Sequence, residues 1–201
     1  MAVCALAALK SEASPRLIPL LMDLLGACAQ TLVKDPPRVA ELVRVALGKI
    51  AEVSASGASL HSAAGVLTPT QRLLKKLAEA APAVVLPILR EEREKCTDQA
   101  VDAFLLRLML DFCPAGDPLE PEFLQLCANF LARDTKEGRE SRAIGMALAM
   151  RGESALAPIA AAFPEATTGS QKYFLHLLDD IVRYRKVSPA GHELAAGALL
   201  R

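Results

Sequence analysis

The chain has 201 residues, of which 52% are apolar, and its 23 basic residues are balanced by 23 acidic ones. This balance argues against a polyanionic partner such as nucleic acid, because nucleic-acid-binding domains usually carry a clear basic excess. Aromatic residues make up only 4% of the chain, and runs of Val, Ile and Thr are nearly absent, which excludes a fold built from long strands.

Apolar residues recur at intervals of three and four along most of the chain, and this spacing predicts amphipathic helices. Ser14-Pro15, Thr68-Pro69 and Ser188-Pro189 each place a capping hydroxyl before a proline at the first helical position. Thr97-Asp98 and Ser170 indicate further helix starts without a proline. In chain order, the predicted helices are 2–10, 15–32, 37–53, 69–80, 82–95, 98–112, 121–133, 136–151, 153–164, 170–186 and 189–200.

A short apolar phrase occurs three times around a central proline, at Pro19, Pro87 and Pro158. Its first copy reads Pro15-Arg-Leu-Ile-Pro19-Leu-Leu, and each copy lies about 70 residues from the next, which is two lengths of a helical-pair repeat. These prolines lie in or just after the first turn of a second helix, where a missing amide proton costs least. The phrase therefore predicts paired helices, with about 33 residues in each pair.

Residues 54–67 interrupt this repeat. The register requires a second helix there, but the residues are mainly Ser, Gly and Ala, which lower helix stability and offer little to pack. We therefore predict an irregular stretch or a short, weak helix at 54–67. We expect residues 1–201 to form a single helical-repeat domain. Both of its ends lack the polar caps that solenoids need, so we expect a segment of a longer protein or ends covered by another element.

One copy of the phrase lies in a longer stretch with a family resemblance. Residues 143–159, Ala-Ile-Gly-Met-Ala-Leu-Ala-Met-Arg-Gly-Glu-Ser-Ala-Leu-Ala-Pro-Ile, resemble the HEAT-repeat consensus of bacterial helical-repeat proteins. In that family an Ala/Leu-rich helix ends at a glycine, here Gly152, and an Ala-Leu-x-Pro-Leu-type helix follows. The copies at Pro19 and Pro87 look like the same unit, and residues 98–102 come nearest to the family's Asp-x-x-x-Val-Arg turn.

The resemblance to HEAT repeats implies a fold and a use. The implied fold is an all-α, right-handed α-solenoid (a HEAT/ARM-like superhelix) of about six antiparallel helical pairs. Such a solenoid offers a concave surface, usually lined by the second helices, to protein partners. The resemblance implies no particular partner.

The sequence shows no residue set that indicates catalysis, a metal or a cofactor. His61, His176 and His192 are far apart, and the five cysteines lack the spacing of a metal site. Residues 152–156 lack the second glycine of a nucleophile elbow. An odd number of cysteines without a disulfide framework favours a reducing compartment. We predict a cytoplasmic protein that is not an enzyme, binds no cofactor and does not insert into a membrane.

Polar positions on the predicted second helices are the best candidates for partner contact, because helical spacing turns them away from the core. They would serve a protein–protein interaction or scaffold function, toward another protein or another domain of the same chain. The alternative is a HEAT-like nucleic-acid-binding protein, which would attach through residues 183–186, or a relative of the alkylpurine DNA glycosylases. The candidate partner-binding residues are Asp23, Gln30, Glu91, Glu94, Gln125, Asn129 and Arg133.

Overall fold

A computed structural model describes residues 2–11, 17–55, 64–133 and 139–199. These residues are almost entirely helical and contain no strand, which confirms the predicted all-α class. They divide into two compact units, Met1–Leu108 and Met109–Arg201, with the boundary inside a helix. The helices are α1 (Ala2–Lys10), α2 (Ile18–Ala27), α3 (Ala29–Leu32), α4 (Pro36–Ala55), α5 (Ala64–Ala80), α6 (Pro82–Glu94), α7 (Gln99–Phe112), α8 (Glu120–Arg133), α9 (Arg139–Arg151), α10 (Leu156–Ala162), α11 (Thr168–Tyr184) and α12 (Pro189–Leu199), with 3₁₀ turns at Gly152–Ala155 and Phe163–Glu165.

Two helices begin where the sequence predicts them. Ser188 precedes α12, and its hydroxyl accepts a hydrogen bond from the Gly191 amide at 3.2 Å. Asp98 precedes α7, and its carboxylate accepts a hydrogen bond from the Ala100 amide at 2.8 Å. Both side chains satisfy amides of the first helical turn, which have no acceptor within the helix.

Two other predicted starts are wrong, because each lies inside a longer helix. Thr68-Pro69 lies within α5, which begins earlier in the chain. The cap of α11 is Thr167, whose side chain accepts a hydrogen bond from the Ser170 amide at 3.2 Å, so Ser170 is an interior residue of the first turn. The predicted start at Ser14-Pro15 lies outside the described residues.

The stretch 54–67, which the sequence predicts to be irregular, is described only at its ends. Residues 54–55 complete α4 and residues 64–67 begin α5, while residues 56–63 lie outside the described part of the chain. The next described helix after α4 is therefore α5, whose range includes the predicted helix at 69–80.

The unit Met1–Leu108 packs its helices in two layers. α4 lies between α1 and α6 in one layer, while α2 packs along α5 in the other. Asp23 of α2 forms an ion pair with Arg72 of α5 at 3.1 Å. Three residues further along α2, a Cβ on Gly26 would lie 3.5 Å from Cδ of Lys76. Because both contacts advance in the same direction, α2 and α5 run parallel.

This packing differs from the predicted pairing of helices. α5 follows α4 in the chain but lies in the layer of α2, and α6 returns to the layer of α4. The proline phrases at Pro19 and Pro87 therefore lie in different layers, on α2 and α6, although the repeat places both on second helices. The difference arises because α5 takes the position that the register gives to a helix within 54–67.

The unit Met109–Arg201 also has two layers. α10 packs between α8 and α12 in one layer, and α9 packs on α11 in the other. Gly145 of α9 faces Tyr173 of α11: a Cβ on this glycine would overlap the tyrosine hydroxyl and lie 2.7 Å from Cζ. At the end of α9, Gly152 lies beside Arg185, so α9 and α11 also run parallel. Gly152 has φ +60°, a left-handed conformation that favours glycine after a helix and agrees with its predicted place at the helix end.

Apolar side chains on the inner faces of these helices form the core of each unit. Leu25 of α2 and Leu42 of α4 are fully buried in the first unit. Phe123 of α8 and Phe174 of α11 are fully buried in the second. Each such side chain stabilises the fold by about 1.5–3 kcal/mol on leaving water, so this burial holds the layers together.

Candidate functional site

The predicted partner-binding residues of the first unit are exposed but lie on both layers. Asp23 and Gln30 are on α2 and α3, which pack on α5. Glu91 and Glu94 are on α6, which packs on α4 in the other layer. The structure therefore does not bring these four residues together on one surface.

Two of these acidic residues form ion pairs between helices of the same layer. Asp23 pairs with Arg72, which joins α2 to α5. Glu91 accepts a hydrogen bond from Lys95 at 2.7 Å and another from Arg44 of α4 at 3.1 Å. These two hydrogen bonds lower the pKa of Glu91, that of Lys95 having the larger effect. Both carboxylates therefore help to hold helices together.

The predicted residues of the second unit are close together on α8. Gln125 donates a hydrogen bond from Nε2 to Oδ1 of Asn129 at 2.9 Å, and both side chains are partly buried. Arg133 is the last residue of α8 and is exposed. All three belong to the layer formed by α8, α10 and α12.

A buried polar cluster that the sequence analysis missed centres on Arg151, the last residue of α9. Its Nη1 donates to Oε1 of Glu120 at 2.8 Å, and the two side chains are only 15% and 8% exposed. Its Nη2 donates to the carbonyl oxygens of Cys113, at 2.7 Å, and Leu110. The second carboxylate oxygen of Glu120 accepts the Gly116 amide at 2.6 Å.

The partners of Arg151 give this cluster a structural role. Two of them are carbonyl groups at the end of α7, which have no donor within the helix. The others tie the connection between α7 and α8 to the end of α9. Charge-assisted hydrogen bonds from one guanidinium to several acceptors are strong, so Arg151 stabilises this junction. Its donors bind groups of the protein itself.

A second partly buried cluster lies between α6 and α7. Nε of Arg93 lies 2.8 Å from Oδ1 of Asp102, and the two side chains form an ion pair. Burial raises the pKa of Asp102, and the nearby Arg93 opposes that shift. Burial also raises the pKa of the Cys96 thiol, which keeps it protonated and a poor nucleophile. Within the described residues, no group of three or more His, Cys, Asp or Glu side chains could hold a metal ion.

Exposed large apolar side chains concentrate on one layer of each unit. In the first unit, Leu17 and Leu20 are exposed at the start of α2. In the second unit, Met146 and Met150 of α9 are 68% and 71% exposed, and Tyr184 is exposed at the end of α11. The remaining residues of this kind in the described part of the chain are Leu175 on α11, Val3 on α1 and Leu194 on α12.

The most concentrated of these groups is a stripe along α9. Arg142, Met146 and Met150 follow one another at intervals of four, which places them on one face of the helix. All three are exposed, and α11 borders the stripe through the contact between Gly145 and Tyr173. We call this face, with the adjoining part of α11, the α9–α11 surface. It is the candidate functional site, because methionine pairs suit adaptable contacts with a partner.

The sequence alone did not single out this surface. Met146 and Met150 lie inside the Ala/Leu-rich helix of the HEAT-like phrase, where an apolar residue predicts core packing. Their spacing of four was a usable signal, because Leu148 between them occupies the buried face.

No protein-family model matches the chain, and comparisons with curated proteins and with solved structures find no match. None of the helices in the described ranges is long and apolar enough to cross a membrane.

Proposed function

We propose that this chain is a HEAT-like α-solenoid segment that binds another protein, or another domain of its own chain, as a non-catalytic scaffold. Each unit repeats the same element, a pair of parallel helices packed side by side in one layer: α2 with α5, and α9 with α11. Such pairs are expected for equivalent helices of successive repeats in a solenoid. This recurrence supports the HEAT-like interpretation.

The observation that carries the binding function is the unequal distribution of exposed apolar side chains. Leu20 on α2 and Met146 and Met150 on α9 belong to the layers made of parallel pairs. Large apolar groups that are exposed close together within one unit mark an interaction surface more often than scattered ones do. Partner contact would remove these side chains from water.

We propose a non-catalytic function because the polar side chains described either bind groups of the protein itself or lie on different helices. Arg151 and Glu120 bind each other and backbone groups. His176 and His192 are exposed on different helices, α11 and α12. These groups do not converge on a shared cavity in the way that an acid–base pair requires.

Site-specific photo-crosslinking in cells tests the proposal. A benzoylphenylalanine replaces Leu20 or Met146 in the layers of parallel pairs, and Ala83 or Ala157, which are exposed on α6 and α10, in the other layers. We expect discrete protein adducts from the first two positions and few from the control positions. Equal adducts from all four positions, or none from any, would contradict the proposal.

Nucleic-acid binding remains the second candidate, because Arg185 and Lys186 are exposed and form no ion pair with another described residue. Fluorescence anisotropy with single-stranded and duplex DNA would test it. Phosphate contacts predict that affinity falls steeply between about 50 and 200 mM salt. A weak signal with a flat salt response would remove this candidate and the glycosylase relationship with it.

A further inference from the structure

The α9–α11 surface has an apolar centre with limited length. Met146 and Met150 are about two-thirds exposed and lie one helical turn apart. On the side toward α11, Gly145 lets Tyr173 approach closely, so the two helices are in direct contact there. An apolar strip of this length beside a second helix suits the apolar face of one partner helix.

Basic side chains lie at both ends of this apolar centre. Arg142 precedes Met146 by one turn on the same face of α9. At the other end, the Cβ and Cγ atoms of Arg185 lie 3.6 and 3.7 Å from the place of a Cβ on Gly152, and Lys186 follows. From residue 142 to residue 152 the helical rise gives a separation of about 15 Å.

These end charges are left without internal partners. Among the described residues, Arg142, Arg185 and Lys186 form no ion pair. Arg183 on α11 is neutralised by Asp179 at 2.7 Å. Two exposed acidic residues lie near this rim: Asp180 of α11, seven residues after Tyr173, and Glu153, which follows Gly152 and accepts a hydrogen bond from the Ser188 amide at 2.9 Å. Against Arg142, Arg185 and Lys186, the described residues of the rim keep a basic excess.

We propose that the α9–α11 surface binds an amphipathic helix of a protein partner that has acidic residues at both ends of its apolar face. This inference rests on the proposed function and specifies its partner. The apolar face covers Met146 and Met150, and the acidic residues lie near Arg142 and Arg185. The axial separation of about 15 Å between residues 142 and 152 favours acidic groups about ten helical residues apart on the partner helix.

Binding of labelled peptides to the full chain tests this inference by fluorescence anisotropy. Each peptide has about 16 residues, which at 1.5 Å per residue extends beyond both ends of the surface. One peptide has Leu and Phe on one face with Glu at both ends. A second has Lys in place of Glu, and a third keeps Glu but has Ser in place of Leu and Phe. We expect only the first to bind tightly, with affinity that falls as salt is added.

Substitutions on the α9–α11 surface test whether the Glu-flanked peptide binds there. Met146→Ser with Met150→Ser should weaken the Glu-flanked peptide about tenfold or more, because buried apolar area is lost. Arg142→Glu with Arg185→Glu should weaken it to a similar extent and improve binding of the Lys-flanked peptide. Leu194→Ser and Lys76→Glu are matched controls, since both residues are exposed on other helices. Urea denaturation confirms that each variant is folded.

The outcomes separate this inference from the proposed function. Equal binding of the Glu- and Lys-flanked peptides, binding unaffected by the methionine variants, or no binding by any peptide would overturn the inference. Stronger binding of a DNA oligonucleotide that is independent of Met146 and Met150 would also overturn it. Crosslinking to a protein through Met146 without any peptide binding would leave the proposed function standing and the inference refuted.

Discussion

The two units use different interactions to hold their layers together. In the unit Met1–Leu108, ion pairs between exposed side chains join neighbouring helices, as between Arg72 and Asp23, whose side chains are 58% and 50% exposed. In the unit Met109–Arg201, the buried pair of Arg151 and Glu120 joins α9 to α8. Exposed pairs contribute little in water, whereas one partner of a buried pair cannot be removed without a large cost. Removal of Arg151 or Glu120 should therefore cost the second unit more free energy of unfolding than removal of Arg72 or Asp23 costs the first.

This difference also affects the surface of each unit. In the first unit, cations such as Arg44 and Arg72 are paired with acidic residues of neighbouring helices. In the second unit, Arg142, Arg185 and Lys186 have no such pair among the described residues. Charges that are not used for internal contacts are available to a partner, which is why the proposed docking surface belongs to the second unit.

The largest expected effect comes from breaking the buried pair of the second unit. Arg151→Met leaves the Glu120 carboxylate and the Leu110 and Cys113 carbonyl groups without their donor. The free energy of unfolding, measured by urea denaturation, should fall by about 3–5 kcal/mol. Arg183→Met, which removes only an exposed pair within α11, should cost at most about 1 kcal/mol. Equal losses in the two variants would contradict the contrast between buried and exposed pairs.

A smaller loss is expected where α9 and α11 approach most closely. Gly145→Ala introduces a Cβ that overlaps Tyr173, and displacement of the ring should cost about 1–3 kcal/mol. Gly48→Ala on α4 is the matched control, because no atom lies within 4 Å of its Cβ position. Because the described residues leave open space there outside the backbone of α4 itself, that change should stabilise the protein by about 0.5–1 kcal/mol. Thermal unfolding measures both, and stabilisation by Gly145→Ala as well would show that the close contact is unimportant.

The smallest effect is expected from the exposed pairs of the first unit. A double-mutant cycle with Asp23→Asn and Arg72→Gln should give a coupling energy of about 0.2–1 kcal/mol. At about 1 M salt, where the screening length is near 3 Å, this coupling should become too small to measure. A coupling above 2 kcal/mol, or one insensitive to salt, would show that the first unit relies on ion pairs as strongly as the second.

The helices could be predicted from the sequence more readily than their arrangement. Local signals place the starts of α7 and α12, because Asp98 and Ser188 bond to amides only two or three residues away. The layers depend on contacts between distant residues. Pro19 and Pro87 have similar neighbours in the sequence, but α2 packs on α5 and α6 packs on α4. No local pattern carries that information.

The candidate site was less accessible to sequence reasoning. Helical spacing selected Asp23 and Glu91 as exposed residues, and both are exposed, but their partners Arg72 and Arg44 lie 49 and 47 residues away. Their partner-binding role, like that of the other selected residues, remains a prediction. The apolar face of α9 was hidden for a different reason. The local sequence around a methionine is the same whether its side chain is exposed or buried. Only the positions of the neighbouring helices distinguish the two cases.

The contact between Gly145 and Tyr173 constrains which residue pairs these two positions can accept. A library randomised at both positions and selected for folded protein should return coupled solutions. Glycine at 145 should be recovered with a large ring at 173, and larger residues at 145 should be recovered with small ones at 173. The two positions lie on different helices, so their substitutions would have to change together, and either one altered alone would be selected against.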